Sequence, residues 1–353
     1  MKTVKHIKKT ILTIFFAFVI IISHTVAAQN ESNQFEKTQK EIINLINLPD
    51  PTFNPDIVQK PMTGEAIADL GFEQVYKNIP QKFIMRDGKQ LFSYTYKSES
   101  KTTIILLHGV LSSAYLMNKT AGLLRESTNS EVIALDFRGH GRSEGAPGDV
   151  DYINQYVDDL YDVIKALKKE KPNQKIILAG HSMGGGIILR YAMDYETSLV
   201  DGYLLFAPHL GSNSPTLKEE KIVSGEEPFI KLHINRIIGL KMMNAIEETK
   251  YNNLPVLFFN LPETMPISKY SYRASESMSP LDYKKGLNAI DKPLIVIVGS
   301  NDEAFDATKF TPAITQNSKG EVYVIENETH NGIRHNKKTM EKVSQWVNKY
   351  KLQ

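Results

Sequence analysis

The chain of 353 residues predicts an α/β fold, a mostly parallel sheet with helices on both faces and an insertion in its second half. Three observations predict it. Short continuous apolar runs recur, as expected for strands buried on both faces. Amphipathic helical patterns separate them, which points to crossover connections. One gap between runs is far longer than a crossover needs and reads as an inserted unit.

Taken in order, residues 1–28 read as an export leader. Lys2, Lys5, Lys8 and Lys9 precede an apolar run from Ile11 to Ile22, and Ser23-His24-Thr25-Val26-Ala27-Ala28 suits a cut after Ala28. The apolar run falls short of the ~20 residues that span a bilayer. Cleavage would remove four lysines and no acid, taking the formal charge from +2 to about −2. The expected location is the periplasm or the medium. Residues 29–80 form a polar lead-in with Pro49, Pro51, Pro55 and Pro61 and one helical stretch from Phe35 to Leu48, expected to pack on the α/β domain that follows. A hairpin follows, residues 83–86 and 90–96 around the Asp87-Gly88 turn.

The apolar runs are residues 103–107, 131–135, 175–179, 203–206, 293–298 and 321–325. Between the second and third, residues 151–169 carry Ile153, Val157, Leu160, Ile164 and Leu167 at helical spacing. The α/β domain is therefore assigned to residues 81–208 and 291–353, with residues 209–290 as an inserted cap. The cap contains a helical segment, residues 229–248, and many large apolar side chains.

Composition narrows the chemistry. Apolar residues make up 41% and charged residues 23%, ordinary values for a globular chain. The chain has no cysteine, so disulfides, thiolate nucleophiles and cysteine-based metal sites are excluded. Its charge is too balanced to suggest nucleic acid. No cofactor motif, metal-ligand spacing or internal repeat is present, and oligomeric state is not legible.

Gly-x-Ser-x-Gly occurs twice, at Gly180-His181-Ser182-Met183-Gly184 and Gly141-Arg142-Ser143-Glu144-Gly145. A nucleophile elbow needs a strand before the serine and a helix after it. Only Ser182 has both; Ser143 runs into Ala146-Pro147-Gly148, a loop. A serine needs a base to take its proton and donors for the oxyanion that follows attack on a carbonyl. Candidate donors are the N–H of Met183 and that of Val110, in the loop after the first run. Among nine histidines, His330 lies in a loop after the last run and is the candidate base. Asp302, in the loop after the preceding run, is the candidate acid, favoured over Glu303 and Asp306.

With these residues in place the chain resembles the monoacylglycerol lipase, lysophospholipase and serine aminopeptidase-like branch of the α/β-hydrolase superfamily. The likeness rests on His108-Gly109, on Asp136-Phe137-Arg138-Gly139-His140-Gly141-Arg142-Ser143 and on Gly180 to Gly185, and it covers residue 80 to the end. It implies the α/β-hydrolase fold with Asp302 and His330 as acid and base. The Asp136 to Ser143 stretch is read as a structural loop beneath the site, with Asp136 as triad acid the minor alternative.

Substrate choice should lie in the cap. Its apolar residues suit an acyl chain or else form the cap's own small core. His108, Gly109, His181, Met243 and Phe259 are the candidate substrate-binding residues. The expected reaction is hydrolysis of a monoacylglycerol- or lysophospholipid-type ester, a substrate class compatible with transient contact with a membrane surface. The alternatives are an aminopeptidase using Glu226, Glu227, Glu247 or Glu248 to clamp an amine, and a non-catalytic binding protein.

Overall fold

The computed structural model describes residues 28–57, 62–218, 227–262 and 264–353. The leader, residues 1–28, lies outside them except for Ala28, where the first helix begins.

Strands β1 (Ile79–Ile84), β2 (Gln90–Tyr96), β3 (Thr102–Leu107), β4 (Glu131–Leu135), β5 (Lys175–His181) and β6 (Gly202–Phe206) join two later strands, β10 (Leu294–Gly299) and β11 (Glu321–Ile325), in one sheet. Its order is β1-β2-β4-β3-β5-β6-β10-β11, antiparallel at β1 and β2 and parallel beyond. Each of the six apolar runs is a strand of this sheet.

The runs are continuous because successive side chains leave opposite faces and both faces are covered. Ile105, Leu107, Ile176, Leu178, Leu205 and Val296 face one layer, with helices α4 (Gln155–Glu170) and α5 (Met183–Asp194). Ile104, Leu106, Ile177, Ala179, Leu204 and Ile295 face the other, with α3 (Asn118–Thr128) and α9 (Lys337–Lys349), whose Trp346 is 1% exposed.

Three expectations shift. Strand β1 begins at Ile79, earlier than the hairpin pattern suggests; it pairs only with β2, and an edge strand tolerates Pro80. Helix α4 starts at Gln155 because Asn154 takes φ +88°, so Ile153 stands outside the helix. The expected helix over 229–248 divides into β7 (Ile230–Leu232) and α6 (Ile234–Asn244). Pairing with a distant strand, β8 (Pro255–Phe259), claims its first residues, and β9 (Lys269–Ser271) completes a three-stranded antiparallel sheet. Two short helices, α7 (Tyr272–Ser277) and α8 (Tyr283–Asn288), lead back to β10, and α8 rests on α5 through Gly286 and Leu189.

The lead-in divides as well. Its helix α1 (Ala28–Ile46) joins the cap rather than the catalytic domain. Ile42 and Ile46 pack with Leu240, Met243, Val256 and Tyr272, and Arg236 donates to the carbonyls of Ile46 and Leu48 and pairs with Asp50 at 2.6 Å. The second half, with α2 (Gly64–Asp69), packs on the catalytic domain, where Asn118 Nδ2 donates to the Tyr76 carbonyl at 2.8 Å. Amphipathic spacing marked α1 as a docked helix, but only its partner's apolar face decides where it docks. Among the described residues no helix is long and apolar enough to cross a membrane.

Candidate active site

The turn from β5 into α5 holds Ser182 at φ 54°, ψ −115°, a left-handed backbone that costs a non-glycine residue energy and persists only when its surroundings enforce it. The surroundings do so. Ser182 N–H donates to the Phe206 carbonyl at 3.0 Å, and the Ser182 carbonyl accepts from Gly186 N–H at 3.1 Å and His209 N–H at 2.9 Å. Helix and strand approach so closely that a Cβ on Gly184 would stand 2.6 Å from the Leu107 carbonyl oxygen. Met183 is the first residue of α5, so its N–H has no acceptor within the helix and lies at the helix's positive end.

His330 lies in the loop after β11 and Asp302 in the loop after β10, as expected for groups at the carboxyl edge of a parallel sheet. His330 Nδ1 and Asp302 Oδ2 are 2.8 Å apart. Asp302 Oδ1 accepts from the N–H groups of Ala304 and Phe305, each at 2.8 Å, so the buried carboxylate is held by three donors. The imidazole is fixed in turn. His330 N–H donates to Glu303 Oε2 at 2.9 Å, its carbonyl accepts from His181 Nε2 at 2.9 Å, and its ring meets Phe305 edge-on at 5.2 Å. The Lys218 ammonium donates to the Asp302 carbonyl from the start of the cap. Thr329 Oγ1 donates to Asp69 Oδ2 at 3.1 Å, so the lead-in braces the His330 loop from outside.

The loop after β3 lies against the serine: a Cβ built on Gly109 would be 3.2 Å from Ser182 Cβ. Val110 is half-buried against the core, and Leu111 takes φ +56°. Two histidines assigned to substrate belong behind the site instead. His108 is fully buried; its Nδ1 donates to the Gly109 carbonyl at 2.7 Å and its Nε2 accepts from Phe137 N–H at 3.2 Å. His181 spends Nε2 on the His330 carbonyl, and burial drives both rings well below the ordinary histidine value, leaving them neutral. Met243 is likewise part of the cap's own core with Leu240 and Tyr272, and Phe259 is 3% exposed, edge-on to Phe229 and Tyr270. An apolar residue on an insertion cannot be told from a pocket-lining one by composition. Two surface clefts border the cap, about 420 Å³ beside Leu48, Pro49 and Leu232 and about 630 Å³ beside Tyr152, Lys250 and Arg273; neither is lined by Ser182 or His330.

The marker stretch is a structural loop. Asp136 accepts from Ala114 N–H at 2.6 Å and Arg142 N–H at 2.9 Å, and burial raises its pKa to about 6. Its oxygens are thus engaged by backbone, while His330 meets Asp302. Ser143 Oγ donates to the Asp136 carbonyl at 2.7 Å and accepts from Phe92 N–H at 2.8 Å, and Arg138 pairs with Asp159 and Asp87, each at 2.7 Å.

Sequence reasoning passed over His209, whose N–H meets the Ser182 carbonyl and whose ring stacks on Phe305 at 5.8 Å, with burial lowering its pKa to about 4. Its position just after a strand was the available signal. Glu303 was weighed only as an acid, Tyr270 counted only among the cap's apolar residues, and Lys218 carried no signal; the last two reach the site from the insertion. Among the described residues no group of three or more acidic or histidine side chains is arranged to hold a metal ion.

Residues 98–251 match the family model described as serine aminopeptidase, S33, a segment that includes Ser182 but ends before Asp302 and His330. The chain is 28% identical over 153 residues to the monoglyceride lipase of Rattus norvegicus, covering 43% of this chain and 50% of that one. It is 29% identical over 216 residues to a putative esterase/lipase of Mycoplasma pneumoniae, covering 59% and 75%. The chain spans about half the length of the first curated relatives it matches. Among solved structures, an esterase of Pyrococcus furiosus superposes with TM-score 0.52 at 20% identity over 85% of this chain and 99% of that one. A monoacylglycerol lipase of Paleococcus ferrophilus gives TM-score 0.52 at 17% identity over 74% and 99%. At such identities the solved structures speak for the fold alone. They give the chain the α/β-hydrolase fold, and over residues 98–251 the chain is similar to the serine aminopeptidase S33 family and to monoglyceride lipases.

Proposed function

We propose that this hydrolase cleaves carboxylic esters of the monoacylglycerol or lysophospholipid type through an acyl-enzyme on Ser182. The observation that carries the reading is the 2.8 Å Asp302–His330 contact at the same sheet edge as the strained serine. In this mechanism His330 Nε2 takes the Ser182 hydroxyl proton as Oγ attacks the ester carbonyl. Asp302 holds the Nδ1–H tautomer and balances the imidazolium. The N–H groups of Val110 and Met183 receive the oxyanion, each contributing about 3 kcal/mol to transition-state stabilisation. The alcohol leaves with the proton from His330; water, deprotonated by the same nitrogen, then releases the acid and restores Ser182. The leader of residues 1–28 supports export as part of this proposal.

Several of the relatives support an ester or lipid substrate, among them monoglyceride lipases and an esterase/lipase. Of the acids that an aminopeptidase would need, Glu227 pairs with Lys231 and Glu248 with Lys250, while Glu247 is exposed at a turn. Glu226 lies outside the described residues.

The test is labelling with a fluorophosphonate probe and turnover of p-nitrophenyl esters of graded acyl length, beside Ser182→Ala. Wild-type labelling lost in the variant, with a rate maximum at medium or long acyl chains, is expected. Activity confined to acetate would redirect the substrate search to aminoacyl arylamides, and an unlabelled folded wild type would overturn the catalytic reading.

A further inference from the structure

We propose that Tyr270, on the cap, is a positioning residue that holds the oxyanion-side loop in its working shape. The inference rests on the reading of Val110 as an oxyanion donor.

Leu111, the next residue, sits at φ +56°. A leucine there lies about 1–2 kcal/mol above the right-handed region and needs an external hold. Its N–H donates to Tyr270 Oη at 2.8 Å. That hydroxyl also lies 2.9 Å from His140 Nε2, and His140 Nδ1 lies 2.9 Å from the Arg138 carbonyl oxygen. A carbonyl only accepts, so Nδ1 carries the ring proton. Nε2 is then an acceptor, Tyr270 O–H donates to it, and the phenol oxygen's lone pair is left for Leu111 N–H. Every proton in the chain has one assignment. Tyr270 and His140 are both buried, and burial lowers the His140 pKa to about 4, so the neutral ring persists near pH 7. The cap strand is itself pinned nearby, since Ser271 N–H donates to the Gly148 carbonyl at 3.1 Å. One hydroxyl thereby joins the inserted sheet to the peptide beside Val110.

The experiment compares Tyr270→Phe with Tyr156→Phe. Tyr156 is the control because its buried hydroxyl has no hydrogen-bond partner among the described residues, although its ring centroid lies 6.1 Å from that of His140. Each variant is assayed on matched aryl esters and thionoesters, because sulfur accepts poorly from oxyanion donors. For Tyr270→Phe, kcat on the oxyester should fall about 10- to 100-fold with KM within twofold, as for impaired oxyanion stabilisation. The oxyester/thionoester rate ratio should fall in parallel, and Tyr156→Phe should leave it unchanged. An unchanged ratio in Tyr270→Phe, or an equal drop in Tyr156→Phe, overturns the proposal. Should Tyr270→Phe not fold, His140→Asn, which removes the Nε2 acceptor, must show the same signature at smaller amplitude or the proposal fails. Amide exchange at Leu111, faster in the network variant than in wild type, reads the loop without requiring activity. A wild type that fluorophosphonate does not label therefore counts against the catalytic reading alone, whereas unchanged Leu111 exchange counts against the tyrosine.

Discussion

Asp302 shows how much a single carboxylate does beyond carrying charge. Two backbone N–H groups hold Oδ1, so only Oδ2 faces His330. In Asp302→Asn those same donors would select the amide oxygen for the Oδ1 position and turn the NH2 group toward His330. Nδ1 would then have to accept, which places the ring proton on Nε2, where the base must be bare. The expected result is a loss of about 10⁴-fold in kcat with little change in KM. Steady-state kinetics of the purified variant check this, and a loss under tenfold would show that Asp302 does not set the tautomer.

The element that matters most is the β5–Ser182–α5 turn, whose shape depends on close approach of backbone to backbone. Alanine at Gly184 would gain about 1 kcal/mol of helix propensity. Its Cβ would also stand 2.6 Å from the Leu107 oxygen and 2.9 Å from the His108 oxygen. Main-chain carbonyls at the end of a central strand and in the turn after it cannot yield as a side chain can, so overpacking of about 1–3 kcal/mol wins. Gly184→Ala should lower the urea midpoint and slow fluorophosphonate labelling together, since the same shift moves both the elbow and the Val110 loop. Gly64→Ala, where none of the described residues lies within 4 Å of the added atom, is the contrast and should be neutral or slightly stabilising. Equal behaviour of the two variants would remove the argument.

At the scale of the whole molecule, five histidines are shielded from water, His108, His140 and His181 buried and His209 and His335 partly so. Burial holds His140 and His209 down to about 4, His335 to about 3, and His108 and His181 well below 6.5. Below about pH 6.5 the unfolded chain protonates at these five positions while the native chain does not, so stability falls as pH falls. Asp136 and Asp159, both raised by burial to about 6, act in the opposite sense, because the native chain takes up those protons first. Five groups against two leave the unfolded chain the greater proton acceptor between about pH 6 and 4. Calorimetry from pH 8 to 4.5 should show the unfolding temperature declining below about 6.5, and a flat or rising profile would refute the assignment of neutral buried rings.

The strand order of residue types, the elbow at Ser182, and the placing of Asp302 and His330 after strands were all legible in the sequence. These features depend on periodicity, turn chemistry and chain order, which are local. The hairpin at Asp87-Gly88 was legible for the same reason, with Gly88 at φ +83°. What a residue faces is not local. Met243 and a pocket-lining methionine look alike until Ile42 and Ile46 arrive from two hundred residues away to bury it. His108 and His181 carried the right chemistry at the right edge, and only their hydrogen bonds to Gly109, Phe137 and His330 show them to be supports. The β7–β8 pairing, the division of the lead-in between cap and catalytic domain, and the reach of Tyr270 to Leu111 were decided by tertiary contact alone. Spacing along a chain records which side chains share a face, but the partner of that face is selected only when distant segments exclude water together.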